Sequence, residues 1–342
     1  YAVDMDGDGD MDVVGAAYND DDIAWFENNG SQSFTERTIE GDFDGAYSVY
    51  AVDMDGDGDM DVVGAAVIDD DIAWFENNGS QSFTERTIEG DFDGAYSVYA
   101  VDMDGDGDMD VVAAAAMDDD IAWFENNGSQ SFTERTIEGN FNGAISVYAT
   151  DMDGDGDMDV VGAAFNDDDI AWFENNGSQS FTERTIEGDF DGAMSVYATD
   201  MDGDGDMDVV GAEYQDNDIA WFENNGSQSF TEHTIEGDFD GAWAVYAVDM
   251  DGDGDMDVVG AAWVDDDIAW FENNGSQSFT ERTIEGDFDG AYSVYAVDMD
   301  GDGDMDVVGA AYSDDDIAWF ENNGSQSFTE RTIEGDFDGA YS

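Results

Sequence analysis

The residues best suited to chemistry are the aspartates of one nine-residue stretch, Asp4-Met5-Asp6-Gly7-Asp8-Gly9-Asp10-Met11-Asp12. The same letters restart at Asp53, Asp102, Asp151, Asp200, Asp249 and Asp298, always after 49 residues. Carboxylates at the first, third and fifth positions converge when the chain wraps tightly, and glycine at the sixth permits the sharp turn. Hard oxygens in that number suit Ca²⁺, which takes six to eight of them. In the first copy Asp4, Asp6, Asp8 and Asp12 are assigned as side-chain ligands, and Asp10 offers its backbone carbonyl. The same roles fall on Asp53, Asp55, Asp57, Asp59 and Asp61, and on Asp102, Asp104, Asp106, Asp108 and Asp110. They fall again on Asp151, Asp153, Asp155, Asp157 and Asp159, and on Asp200, Asp202, Asp204, Asp206 and Asp208. The last two sets are Asp249, Asp251, Asp253, Asp255 and Asp257, then Asp298, Asp300, Asp302, Asp304 and Asp306. One Ca²⁺ per repeat is expected. A solvated acidic turn explains the stretch poorly, because two carboxylates ~4 Å apart repel by roughly 4 kcal/mol at an effective dielectric of 20.

An EF-hand also begins with this alternation, but it needs a bidentate Glu at position twelve and flanking helices. Position twelve here is Gly15, and the flanks Tyr50-Ala51-Val52 and Val13-Val14 read as strands. The loop ends at its ninth position, on Asp12. Aspartates and glycines so spaced between two strands resemble the FG-GAP/VCBS calcium repeats of integrin alpha-chain propellers and many secreted bacterial proteins. The resemblance covers all seven units. It implies a β-propeller with calcium between the first and second strands of each blade, and it implies no single activity.

The rest of the unit reads as the strands that hold these loops. Ser48–Val52 is a short apolar strand entering the loop, and Val13–Ala17 is the strand that leaves it. After the polar turn Asp20-Asp21-Asp22, Ile23–Glu27 is a third strand. Asn28-Asn29-Gly30 signals a type I′ hairpin, since Asn-Gly accepts positive φ. Phe34–Ile39 alternates apolar and charged residues, as a half-exposed outer strand does. Four antiparallel strands per 49-residue unit predict an all-β, seven-bladed β-propeller, with residues 1–342 as a single domain. An open solenoid would need atypical capping units, and none is present. Tyr341-Ser342 and Tyr1-Ala2-Val3 are the two parts of one strand, so the ring is expected to close through a blade shared between the termini.

The chain carries 89 acids against six Arg and no Lys, a formal charge of −83. That balance argues against nucleic acid and anionic membranes as partners. There is no Cys for disulfides or thiolate sites. No apolar run approaches the ~18 residues of a membrane span, so membrane insertion is not expected. Constitutively filled calcium sites point to an extracellular or cell-surface location. The chain starts inside a unit without a signal peptide and reads as a fragment or mature form. Trp25 and its equivalents read as inter-blade core, with Met5 and Met11 tucked between blades. His233, which replaces an Arg, reads as a surface variant.

The copies differ mainly in two places. One is the pair Tyr18-Asn19, which becomes Val67-Ile68, Ala116-Met117, Phe165-Asn166, Tyr214-Gln215, Trp263-Val264 and Tyr312-Ser313, with Glu213 replacing the preceding Ala. The other is Tyr47, which becomes Tyr96, Ile145, Met194, Trp243, Tyr292 and Tyr341. Loops alternate between the faces of such a ring, so both variable sites are expected on the face opposite calcium. Relaxed drift would favour small polar residues and would also touch the Asn28–Ser33 hairpin, which is unchanged in every unit. Aromatic and adaptable residues instead build recognition surfaces. The candidate ligand-binding residues are Tyr18, Tyr47, Tyr96, Phe165, Tyr214, Trp243, Trp263, Tyr292, Tyr312 and Tyr341. The expected function is a calcium-stabilised, secreted recognition or adhesion propeller, a monomeric ring with a glycan or protein ligand. The alternative is a structural or calcium-binding module of a larger secreted protein. An enzyme is not expected, since calcium claims the carboxylate pairs and near-identical units offer no single asymmetric acid/base centre.

Overall fold

Val62-Val63-Gly64-Ala65-Ala66 has no polar side chain, so it belongs where neighbouring sheets press on both faces. The computed structural model, which describes residues 1–342, places it there, within a chain of twenty-eight strands and no helix. The first blade consists of β1 (Ala2–Val3), β2 (Asp12–Ala17), β3 (Asp22–Asn28) and β4 (Phe34–Glu40); the second consists of β5 (Ala46–Val52), β6 (Asp61–Ala66), β7 (Asp71–Asn77) and β8 (Phe83–Glu89). Five further blades repeat this pattern, and each four-stranded sheet is an antiparallel meander in chain order. All six residues of β6 are buried, whereas Thr84–Thr87 of β8 face solvent.

The core lies between blades. Met5, Trp25 and Phe43 pack with Val49, Ala51 and Val62 of the next blade in one buried cluster, and six equivalent clusters complete the ring. Gly64 marks the closest approach: a Cβ there would meet Ile23 Cδ1 at 2.7 Å and a Phe43 ring carbon at 3.2 Å. Ala113 occupies this position in the third blade and is fully buried. The Trp25 series is 0–2% exposed. On the outer side, five Arg side chains lie 5.3–5.5 Å from their Trp rings, and Arg37 lies at 5.8 Å. His233 takes the Arg position by stacking on Trp221 at 4.8 Å and bonding Glu223 at 2.8 Å.

The termini close the ring through the first blade. Val14 N–H donates to Tyr1 O at 2.8 Å, Ala16 N–H to Ser342 O at 2.9 Å, and Tyr341 N–H to Ala16 O at 3.0 Å. Both chain ends thus lie along β2, as the split strand predicts.

Two local readings need correction. The Asn-Gly hairpin is a longer loop, because Asn28 pairs with Phe34 and Asn29 N–H reaches Ser33 O at 3.3 Å. Gly30 and Gln32 adopt φ of 72° and 59°, while Asn29 keeps a negative φ and its Oδ1 caps Ser31 N–H at 3.0 Å. A type I′ turn would need positive φ at both central residues. The first strand, read from Ser48, begins at Ala46 and carries a β-bulge: Ala46 pairs with Ala66 and Ser48 with Ala65, leaving Tyr47 unpaired. A bulge turns two successive side chains toward one side. Tyr47 and Ser48 accordingly both face the central channel.

Candidate metal loops and variable face

Each acidic loop folds around its first aspartate. Asp4 Oδ1 accepts from Gly7 N–H at 2.7 Å and from Asp8 N–H at 3.1 Å, and Oδ2 accepts from Gly9 N–H at 3.0 Å. Gly7 and Gly9 supply the positive φ that this wrap needs, 76° and 98°. Asp6 Oδ1 and Asp8 Oδ1 cap Asp8 N–H and Asp10 N–H. Asp12 ties the loop to the blade. Fully buried, it accepts from Met5 N–H at 2.9 Å and from Asn28 N–H on β3 at 2.8 Å. Burial pushes its carboxyl up to about 6, and that of the equivalent Asp61 up to about 7. The Asp10 carboxylate leans on Gly30, where a Cβ would lie 2.5 Å from Oδ2.

The donor set fits calcium. Carboxylate oxygens of Asp4, Asp6 and Asp8, or of Asp102, Asp104 and Asp110, lie within 4.8 Å of one another. Oxygens on a Ca²⁺ sphere of 2.3–2.6 Å radius are separated by at most about 5 Å. All donors are oxygen, and a buried carboxylate close to other acids calls for a cation.

The variable residues gather at the opposite end. The turns joining second to third strands meet the inter-blade connections there: Tyr18 N–H donates to Gly339 O, and Val67 N–H to Gly45 O. Tyr47, Tyr96, Trp243, Tyr292 and Tyr341 ring the channel mouth with Ile145 and Met194. They crowd inward. Tyr47 lies 4.4 Å from Tyr96 and 4.5 Å from Tyr341, and its hydroxyl meets that of Tyr292 across the channel. Tyr18, Phe165, Tyr214, Trp263 and Tyr312 come from the turns and pack onto this ring, as in Tyr214–Trp243 (5.4 Å), Trp243–Trp263 (5.6 Å) and Tyr312–Tyr341 (5.1 Å). Tyr18 and Phe165 line the same ≈ 320 Å³ cavity as Tyr47, Tyr96, Trp243, Tyr292 and Tyr341.

Three further residues belong to this face. Ile68, Met117 and Val264 are 49%, 62% and 48% exposed, and they are the chain's only exposed large hydrophobic side chains. All three occupy the variable position of Asn19, so their place on this face is legible in the sequence. Sequence reading missed an invariant ring deeper in the channel. Tyr1, Tyr50, Tyr99, Tyr148, Tyr197, Tyr246 and Tyr295 form a closed circle with neighbouring centroids 4.7–5.0 Å apart. Their alternation with buried Val49 and Ala51 could have shown it. Between the two aromatic layers lie serines such as Ser48, whose Oγ accepts from Val98 N–H of the next blade at 3.4 Å.

Glu213 is the one buried acid on this face, only 4% exposed. Its carboxylate accepts from Asp191 N–H, a role that an aspartate of the turn plays elsewhere, as Asp69 does for Asp44 at 3.0 Å. Burial first, then Asp218, Asp216 and Asp191, push Glu213 up to about 8. An unfolded glutamate titrates near 4.5. Between these values the folded chain holds a proton that the unfolded chain has lost, so this contribution to stability falls as pH rises from about 4.5 to about 8. Glu213→Ala, the residue found in the other blades, should raise stability at pH 8–9 by roughly 3–5 kcal/mol more than it does near pH 5. Urea denaturation of both proteins across this range checks it, and parallel pH curves would disprove it.

The family model for FG-GAP-like repeats matches residues 4–64, 65–113, 102–162, 151–211, 200–260 and 259–309. No curated protein matches by sequence. Among solved structures, the fold is similar to that of a Lactobacillus plantarum protein (14% identity, 96% of this chain and 97% of that one, TM-score 0.71). It is also similar to a streptogramin B lyase (12% identity, 87% and 86%, TM-score 0.62). A third similar structure is a Bacteroides uniformis protein provisionally assigned as a 6-phosphogluconolactonase (11% identity, 97% and 98%, TM-score 0.68). These last two overturn the expectation that the chain is not an enzyme, because propellers of this shape include enzymes. Regular blades do not prevent catalysis, since loops on a symmetric scaffold can still differ. At such identities the likeness shows the fold and carries no activity across.

Proposed function

The chain belongs to the FG-GAP-like repeat family, and on that premise we propose that it is a calcium-stabilised, secreted recognition propeller whose variable face binds a glycan or protein ligand. One Ca²⁺ per acidic loop would be held by Asp4, Asp6, Asp8 and Asp12 and their equivalents, with the Asp10-type carbonyl. The metal supplies rigidity, because its loops lie on the face away from the variable residues.

The observation that carries the reading is the coincidence of three properties on one face. The copies differ there, their aromatic side chains converge there, and every exposed large hydrophobic side chain lies there. Exposed apolar groups collected on one surface mark interaction sites. Truncating Trp243 and Trp263 together to Ala should cost ~2 kcal/mol or more of binding per hot-spot residue. Melting and calcium content should stay nearly unchanged. A glycan array and a pulldown, each run with the double variant beside the wild type, test this. Equal binding by both proteins would refute the recognition face.

A further inference from the structure

The aromatic arc has a gap. Blades four to seven and blade one carry Phe165, Tyr214, Trp263, Tyr312 and Tyr18 at the turn position, but blades two and three carry Val67 and Ala116. The ≈ 320 Å³ cavity is lined by Tyr18 and Phe165, the two ends of the arc, and by the small Ala116 of the gap between them. Its polar wall is sparse, consisting of phenol hydroxyls and Asn166. The volume is at the lower end of the ~300–1,000 Å³ found for small-ligand sites. It is ample for one side chain.

The rim has a second character. Exposed Ile68 stands between Asp44 and Asp69: its N–H and that of Asp69 both reach Asp44 O, and Asp44 N–H donates to the Asp69 carboxylate at 3.0 Å. Met117, more exposed still, stands between Asp93 and Asp118 in the same way. Mutual repulsion is felt there, and the charges of Asp70 and Asp118 help push Asp93 above the usual carboxylate range. No cation of this chain answers these acids. All six Arg are on fourth strands, and each is paired to a third-strand glutamate by both Nε and Nη2, as Arg37 is to Glu27. An apolar pocket bordered by adaptable hydrophobics and uncompensated carboxylates asks for apolar and positive groups side by side.

We infer that the gap at blades two and three receives one aromatic or large aliphatic side chain from a basic segment of a partner protein, with flanking Lys or Arg on the Asp44, Asp69, Asp93 and Asp118 rim. The inference rests on the recognition-face reading above and names its ligand. A neutral sugar could donate hydroxyls to these carboxylates but would leave their charge uncompensated, and an acidic partner would be repelled.

The test uses Ala116→Tyr, which closes the gap with the residue that three other blades carry at this position. The probes are a capped Lys-Lys-Phe-Lys-Lys peptide, the same peptide with Ala for Phe, one with Glu for Lys, and a panel of neutral oligosaccharides. The Phe peptide should bind the wild type at least about tenfold more tightly than it binds Ala116→Tyr, and at least about tenfold more tightly than the Ala peptide binds. Its affinity should fall with salt, and the Glu peptide should not bind. Equal binding of the Phe peptide to both proteins overturns the inference. So does an oligosaccharide that binds in its place and is lost in Ala116→Tyr, although the recognition face then stands. Loss of binding in the Trp243/Trp263 variant but not in Ala116→Tyr moves the site elsewhere on that face. If neither variant changes the binding of any probe, both readings fail.

Discussion

Excess chelator should lower the melting temperature by tens of degrees, or unfold the chain at room temperature. The acids of a loop come together only in the fold, so metal binding is part of the folding free energy. A ligand at 1,000 times its Kd stabilises by about 4 kcal/mol per site. Each kcal/mol is worth ~1–2 °C of melting temperature in a chain of this size, so seven filled sites amount to tens of degrees. Removing the metal also leaves the five acids of each loop without a counter-ion, at a total charge of −83. Scanning calorimetry with calcium and with chelator measures the shift, and superimposed curves would refute a structural metal.

Asp110→Ala should destabilise by about 3 kcal/mol or more. The carboxylate is fully buried and accepts from Met103 N–H at 3.1 Å and from Asn126 N–H at 2.7 Å. Each donor left unpaired in a buried site costs ~1–3 kcal/mol. On the proposed calcium reading the loss of one ligand adds to this, since Asp110 groups with Asp102 and Asp104. The variant should also bind one calcium fewer per chain. Asp110→Asn keeps an acceptor and should fall between the two. Unchanged urea midpoints in both variants would show that this carboxylate neither clamps the blade nor holds a metal.

The sequence shows what repeats within one unit and hides what depends on neighbouring units. The Asp4–Asp12 spacing, the apolar Val13–Ala17 strand and the Tyr341–Ser342/Tyr1–Val3 split are local facts, and the ring follows from them. The Tyr47 bulge is not local. It is a register shift against Ala65 and Ala66, and it decides that Tyr47 and Ser48 share the channel side. The seven-tyrosine circle likewise exists only when all blades bring Tyr50 equivalents together. The variable residues could be identified from the sequence, but their asymmetry could not. Val67 and Ala116 read as two substitutions among many until the ring puts Tyr18 and Phe165 on either side of them. The Asn-Gly signal misled because Asn29 uses its side chain to cap Ser31 and does not enter the left-handed region. Excluding catalysis took the regularity of the strands for that of the loops.

The most direct test of a ring locked by calcium on one face and free to recognise on the other is the bound metal per chain. It is counted by atomic emission after dialysis against buffered calcium. The account predicts seven, one for each Asp4–Asp12 loop and its repeats. A saturated value below five would contradict it.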